Sequence, residues 1–412
     1  MLSVDPIALA RRQLARDRAK TLHLPGLFAH KLDRMRASPL AFLRGTAPLF
    51  YELLAASPEL WRGPAGEGWI TGDLHLENFG AYRPQSFADE DRSHAKKKKR
   101  HAKPAAEEVA TFNLNDFDDA IIGPWRLDVT RLLVSLILGA RELQVRGVRA
   151  VELCESVLDS YVSHAFGRAK LPPAPRPVAS LVETVRGRTR LALLEARTRV
   201  VRGERAFVRG DHFLDVATPR RKRAAKAFSI YALRACEREG VEPDHLTPID
   251  IAYRIAGTGS LGGVRLAILT RGKGGADGAW VFDMKEQGVP SAAVLLGKPK
   301  LKGGKRVCTA TEACLEHPPR MVGTTKLDGM SMFVRRLAPQ EDKLDLTHIR
   351  DEDLEPVAAY LGALTGAAHR RGATHPAKRP WKRTDRDALL ERAIAIAGIH
   401  EAAYLAYFKL SR

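Results

Sequence analysis

The chain has 412 residues, 45% of them hydrophobic and 28% charged, which excludes a fibrous or wholly disordered protein and gives length enough for two or three domains. Lys and Arg number 67 against 48 Asp and Glu, a formal net charge of +19, so its field favours anions such as nucleotides, nucleic acid or acidic lipid. Cys154, Cys236, Cys308 and Cys314 are too scattered for a disulfide framework, the longest mostly apolar stretch, Leu132 to Ala140, is about half a membrane span, and no secretory signal is visible, so the expectation is a cytoplasmic protein.

Residues 5–60 predict helices, with Leu9, Leu14, Phe42, Leu43, Leu49 and Phe50 at helical spacing and breaks at Pro25-Gly26 and Ser38-Pro39. Short apolar runs among Gly, Asn and Asp at 67–80 and 109–122 predict strands and tight loops, followed by a helix from Arg126 to Val145. Between them, 86–107 joins Asp89, Glu90 and Asp91 to the run Lys96–Arg100 and reads as a basic, mobile insertion. Residues 150–245 are Arg-rich at helical spacing. From Ile249 to Leu337 strands are expected, with a helix near 306–316, and Leu354–Arg371 and Asp385–Leu410 return to helix. The expected division is a helical part over 1–245, a small β-rich part over 246–345, and closing helices over 346–412.

The stretch Thr71-Gly72-Asp73-Leu74-His75-Leu76-Glu77-Asn78 carries the first chemistry. Asp73 and Asn78 have the separation by which a kinase catalytic loop sets a base carboxylate beside the acceptor hydroxyl and a carboxamide oxygen beside a metal. Asp116, on a short loop after an apolar strand, is placed to hold Mg²⁺ with Asn78, since a hard cation needs oxygen ligands and phosphate and water supply the rest. His75 is a candidate to assist proton transfer or orient Asp73, although a buried structural imidazole is the commoner outcome. Asp128 reads as a support for the loop backbone.

GDLHLENFG resembles the HGDxHxxN loop of the aminoglycoside and choline kinases, with Thr71 in place of the usual His. NDFDDA with Gly123, Pro124 and Asp128 is similar to that group's IDFxDA…GDPxxDL run, and LGALTGAAH at 361–369 to the LxxLH helix that precedes its catalytic loop. Most of the chain, including SPLAFLRGTAPLF at 38–50, further resembles the uncharacterised bacterial family catalogued as domain of unknown function 2252.

A kinase also needs a glycine-rich loop and a lysine, and both stand downstream. Gly257, Gly259, Ser260 and Gly262 fall between apolar runs, and Lys285 lies on the next strand but one, as a phosphate flap and its cation would. The order is inverted. The expected fold is therefore α+β, a protein-kinase-like two-lobed fold in circularly permuted order, binding ATP and Mg²⁺ and transferring phosphate to an unidentified hydroxyl acceptor. Glu312 is the expected acidic partner of Lys285, with Glu316 second, and Met332–Leu337 the expected adenine hinge. Two other readings are a nucleotide-binding regulator or AMP-transferring enzyme of the same fold, and, less favoured, a nucleic-acid-associated protein using Lys96–Arg100 and Pro219–Arg223. Oligomeric state is not readable.

Overall fold

The computed structural model describes residues 4–24, 26–82, 84, 110–167, 169–319, 321–375 and 379–412, so the insertion expected at 86–107 lies outside the described residues. The chain is α+β, about half helical with small antiparallel sheets. No helix among the described residues is long and apolar enough to cross a membrane.

Helices α1 (Pro6–Thr21), α2 (Gly26–Arg36), α3 (Pro39–Gly45) and α4 (Ala47–Ala56) open the chain. Asp5 and Ser38 cap α1 and α3 by accepting from the Ile7 and Ala41 N–H groups, each followed by a proline whose missing N–H costs nothing in the first turn. Strands β1 (Glu67–Ile70), β2 (Phe79–Tyr82), β3 (Thr111–Leu114) and β4 (Ile121–Pro124) carry the acidic loops between them. Helix α5 (Arg126–Leu138) is buried nearly all round, its polar Asp128, Arg131 and Ser135 included. It ends at Gly139, not at Val145, because the chain turns there, with the Leu143 N–H donating to the Gly139 carbonyl.

Helices α6 (Gly147–Ala165), α7 (Arg176–Arg186) and α8 (Arg190–Glu195) follow. The purely helical expectation for 150–245 then fails at a hairpin, β5 (Thr198–Val201) and β6 (Glu204–Phe207). Its two-residue turn, Arg202-Gly203, has φ of 52° and 84°, the doubly positive pattern that matches strand twist. Strand β7 (Phe213–Leu214) and helix α9 (Thr218–Glu239) lead into the main sheet.

That sheet has the order β7, β8 (Pro248–Arg254), β9 (Arg265–Thr270), β10 (Trp280–Glu286), β12 (Met330–Leu337), β11 (Gly323–Leu327), all antiparallel. Helices α10 (Ala293–Leu296) and α11 (Gly303–Cys314) lie between β10 and β11 in sequence. Side chains alternate across a strand, so Phe282 and Met284 join Leu266, Ile268 and Val334 under the α9 residues Phe228 and Tyr231. Asp283 and Lys285 consequently point to the opposite face.

After β13 (Asp342–Lys343), helix α12 (Asp351–Arg371) returns to the large core beside α6. Gly362 and Gly366 allow that approach, since a Cβ there would lie 2.3 Å from the Val157 carbonyl oxygen and 2.5 Å from that of Tyr161. Strand β14 (Ala373–His375) pairs with β1, and α13 (Arg383–Leu410) packs its Ala403, Tyr404 and Tyr407 against Leu9, Phe42 and Leu49.

Candidate active site

A cavity of about 1040 Å³ lies between the acidic loops 71–78 and 115–119, its floor, and the open face of the main sheet, its roof. Asp73, Asn78, Asp116, Lys285 and the loop 256–263 all line it. The early acids and the late amine therefore open onto one space.

The floor is held from below by Asp128, fully buried in α5. Its carboxylate accepts from the Thr71 N–H at 2.6 Å, the Thr71 hydroxyl at 3.0 Å and the Gly72 N–H at 2.9 Å. His369 from α12 completes the shell, Nε2 lying 3.3 Å from Asp128 and Nδ1 3.0 Å from the Tyr161 hydroxyl. Thr71 thus meets the same carboxylate as His369. Gly72 sits at φ 76°, and a Cβ would lie 2.1 Å from the Asp119 carbonyl oxygen, so only glycine fits.

Asp73 Oδ1 accepts from Arg131 Nε at 2.8 Å and lies 2.6 Å from its Nη2. Arg131 is itself fully buried, donating to the Leu43 carbonyl at 2.8 Å over the Phe50 ring. Burial pushes the Asp73 carboxyl up to about 7, Arg131 opposing and Asp119 reinforcing the rise. Asn78 Nδ2 donates to the Asp73 carbonyl at 2.9 Å, which commits the amide end to the loop and leaves Oδ1 as the atom to meet a cation. His75 Nδ1 accepts from the Glu77 N–H at 3.2 Å, and burial with Arg44 and Lys343 nearby holds the ring far below the usual imidazole range, so it is a neutral cap of the 76–78 turn.

Asp116 is exposed to the cavity, one oxygen accepting from the Asp118 N–H at 3.1 Å. Asp118 forms an ion pair with Lys285 from β10 and accepts from Gln287 Nε2 at 2.7 Å. Asp119 accepts from the N–H and hydroxyl of Ser291 at 2.9 and 2.8 Å. Burial lowers the Lys285 ammonium, with Asp116 and Asp73 both raising it, as charges sharing one space do.

The expected pair Lys285–Glu312 is replaced by Lys285–Asp118. Helix α11 turns Arg306, Val307, Ala310 and Thr311 inward, and Glu312 falls on its exposed side. Glu316 pairs with Arg371 instead. What α11 offers the site is Arg306, buried and donating to the carbonyls of Asp118 at 2.7 Å and of Ala120.

The glycine loop lies against the first helices. Lys20 donates to the Gly259 carbonyl at 2.8 Å, Lys31 to that of Leu261 at 3.4 Å, and Arg34 to that of Gly257. A Cβ at Gly262 would stand 2.7 Å from the Lys20 carbonyl oxygen and one at Gly259 3.0 Å from that of Arg44. Close packing on α1 thus already requires Gly262, and Gly259 sits tightly against α3. Ser260 donates to Ala256 at 3.4 Å, within the loop. Of the expected hinge, Met332–Val334 are paired on both edges and Arg335–Leu337 with β10 alone. In the cluster Pro219–Arg223, Arg220 and Arg223 pair with Asp328 and Arg221 with Asp250, so these charges hold α9 to the sheet.

Among the described residues no group of three or more His, Cys, Asp or Glu side chains could hold a metal by itself. Asn78 Oδ1 and Asp116 offer two oxygens, the partial set suited to a Mg²⁺ that keeps water and phosphate ligands. Arg131, Arg306 and the charged roof around Asp283 were not singled out by sequence reasoning.

The chain belongs to a family of uncharacterised proteins conserved in bacteria, domain of unknown function 2252, whose family model matches residues 23–86 and 103–410. No curated protein and no solved structure matches it.

Proposed function

We propose that the protein is an ATP- and Mg²⁺-dependent phosphotransferase with a protein-kinase-like fold in circularly permuted order. The observation that carries this reading is the ion pair between Lys285 and Asp118 across a cavity whose floor also presents Asp73, Asn78 and Asp116. The sheet supports it: a glycine loop joins β8 to β9, the lysine stands on the third strand of that meander, and a helix follows before β11 and β12.

In this reading Asp73 Oδ2, the oxygen not taken by Arg131, accepts the proton of the acceptor hydroxyl as its oxygen bonds to the γ-phosphorus and the bond to the β–γ bridging oxygen breaks, releasing ADP. A carboxylate titrating near 7 is well matched to that task at neutral pH. Asn78 and Asp116 would hold Mg²⁺, which when bound neutralises phosphate charge. Lys285 leaves Asp118 to meet the α- and β-phosphates, and positioning does most of the catalysis.

The test is thermal unfolding with ATP and Mg²⁺. Saturating ligand at about 100 times its Kd adds roughly 2.7 kcal/mol of stability, a rise of several degrees. The wild-type protein should show that rise and Asp116→Ala should not. No rise in the wild type overturns the proposal. Single turnovers with γ-labelled and α-labelled ATP then separate phosphate transfer from AMP transfer.

A further inference from the structure

The roof of the cavity carries charges that the reaction above does not use. Strand register places Arg254 beside Arg265 and Arg265 beside Lys285, with Asp283 and Arg335 paired one step along, all on the face opposite the α9 core. Asp283 is 3% exposed and meets three guanidinium groups. Arg265 binds it through both oxygens at 2.8 and 2.6 Å, Arg254 approaches at 2.9 Å, and Arg335 at 3.8 Å. Arg335 also lies 3.3 Å from Glu341. Glu341 and Asp283 also act through space on the half-buried Arg197.

Arg254, Arg265 and Arg335 thus share Asp283 and Glu341, with Asp116 also acting on Arg265 and Arg197 close by, which leaves this partly desolvated wall with an excess of positive charge. Such an excess is costly without an anion. Burial, with Arg265, Arg335 and Arg197 nearby, lowers the Arg254 guanidinium to about 10 against the pull of Asp283. Arg254 Nη1 is buried and near the Asp283 carboxylate yet not aligned to donate to it. Asp283 keeps the guanidinium forks ordered, and a planar fork fits phosphate through paired N–H donors.

We propose that Arg254, Arg265 and Arg335 form a phosphate-binding subsite in the roof, distinct from the Asn78–Asp116 metal position. The charged face sits two residues along β10 from Lys285 and lines the same cavity. The phosphate comes either from the nucleotide's own chain or from a phosphorylated acceptor. The claim needs neither phosphoryl transfer nor Mg²⁺.

Calorimetric titration with inorganic pyrophosphate in EDTA tests it. The wild-type protein should bind pyrophosphate, and Arg254→Gln and Arg335→Gln should each weaken binding at least about tenfold, with Arg335→Lys weakened less because it keeps the charge but loses the fork. Arg265 still holds Asp283 in both variants, and matching melting curves confirm folding. Asp116→Ala should retain pyrophosphate binding, so failure of the phosphotransfer reading leaves this result intact. A parallel ATP titration identifies the source: a matching loss in the variants assigns the site to the nucleotide's phosphates, and unchanged ATP affinity assigns it to a second, phosphorylated ligand. No binding of millimolar pyrophosphate to the wild type, or wild-type affinity in both Gln variants, overturns the proposal.

Discussion

Along the floor of the cavity four carboxylates each have their own partner, Asp128 the loop backbone, Asp73 the Arg131 guanidinium, Asp118 the lysine and Asp119 a serine, while Asp116 stays exposed to the cavity. Along the roof the ratio is reversed, and Arg254, Arg265 and Arg335 converge on Asp283. The same kind of ion pair therefore does different things in the two places. On the floor, buried pairs fix geometry, because breaking one leaves an uncompensated charge. On the roof, a surplus of one sign is held in place by a minority of the other, and surplus charge is a binding capacity.

The largest test of this contrast is at Asp73. Asp73→Asn keeps the shape of the loop and removes the base, and transfer should fall about 10² to 10⁴-fold in a single-turnover assay. In the wild type the rate should climb with pH through about 7, the value at which Asp73 ionises. The same shift has a sign for stability. The folded carboxyl ionises near 7 and the unfolded one near 3.8, so between these values the folded state binds the extra proton and stability declines as pH rises. Melting curves from pH 4 to 7 should show that decline in the wild type and a shallower one in Asp73→Asn. Equal slopes would mean that Asp73 is not desolvated.

Next in size is Asp128. Asp128→Ala orphans the N–H groups of Thr71 and Gly72, the Thr71 hydroxyl and His369, all buried, and should cost about 3 to 5 kcal/mol in chemical denaturation. A loss below about 1 kcal/mol would show that the loop stands without its support.

The floor was legible because its chemistry is local. Asp73 and Asn78 are five positions apart, and Asp116, Asp118 and Asp119 lie within four, so spacing along the chain is nearly spacing in space. Asp128, 57 positions beyond Thr71, was readable as a loop support from its place in the first turn of the helix that follows the acidic loop. The glycines of 257–262 were equally visible, but glycine permits both a phosphate and a neighbouring backbone to come close, and only the fold shows Lys20 and Arg44 in that place. The roof was hidden because its arginines come from β8, β9 and β12, and only antiparallel register brings Arg254, Arg265 and Arg335 around Asp283. The hairpin at 198–207 escaped because arginine-rich strands this short carry no helical or alternating pattern strong enough to distinguish them.

Helix α11 offers the finest version of the comparison, since sequence reasoning chose one charged residue there and the fold uses another. Arg306 and Glu312 are six positions apart, about 600° around a helix axis at 100° per residue, which puts them on different sides. Arg306 faces the 118–120 loop, and Arg306→Gln should cost about 1 to 3 kcal/mol by leaving the Asp118 and Ala120 carbonyls short of donors. It should also weaken nucleotide binding, because the loop that carries Asp116 and Asp118 loses its anchor. Glu312 is exposed, and Glu312→Gln should change stability by less than about 0.5 kcal/mol and leave the ATP-induced melting shift unaltered. Should Glu312→Gln abolish that shift while Arg306→Gln preserves it, the lysine takes its partner from the helix when nucleotide is bound, and the Lys285–Asp118 pair describes only the unliganded floor.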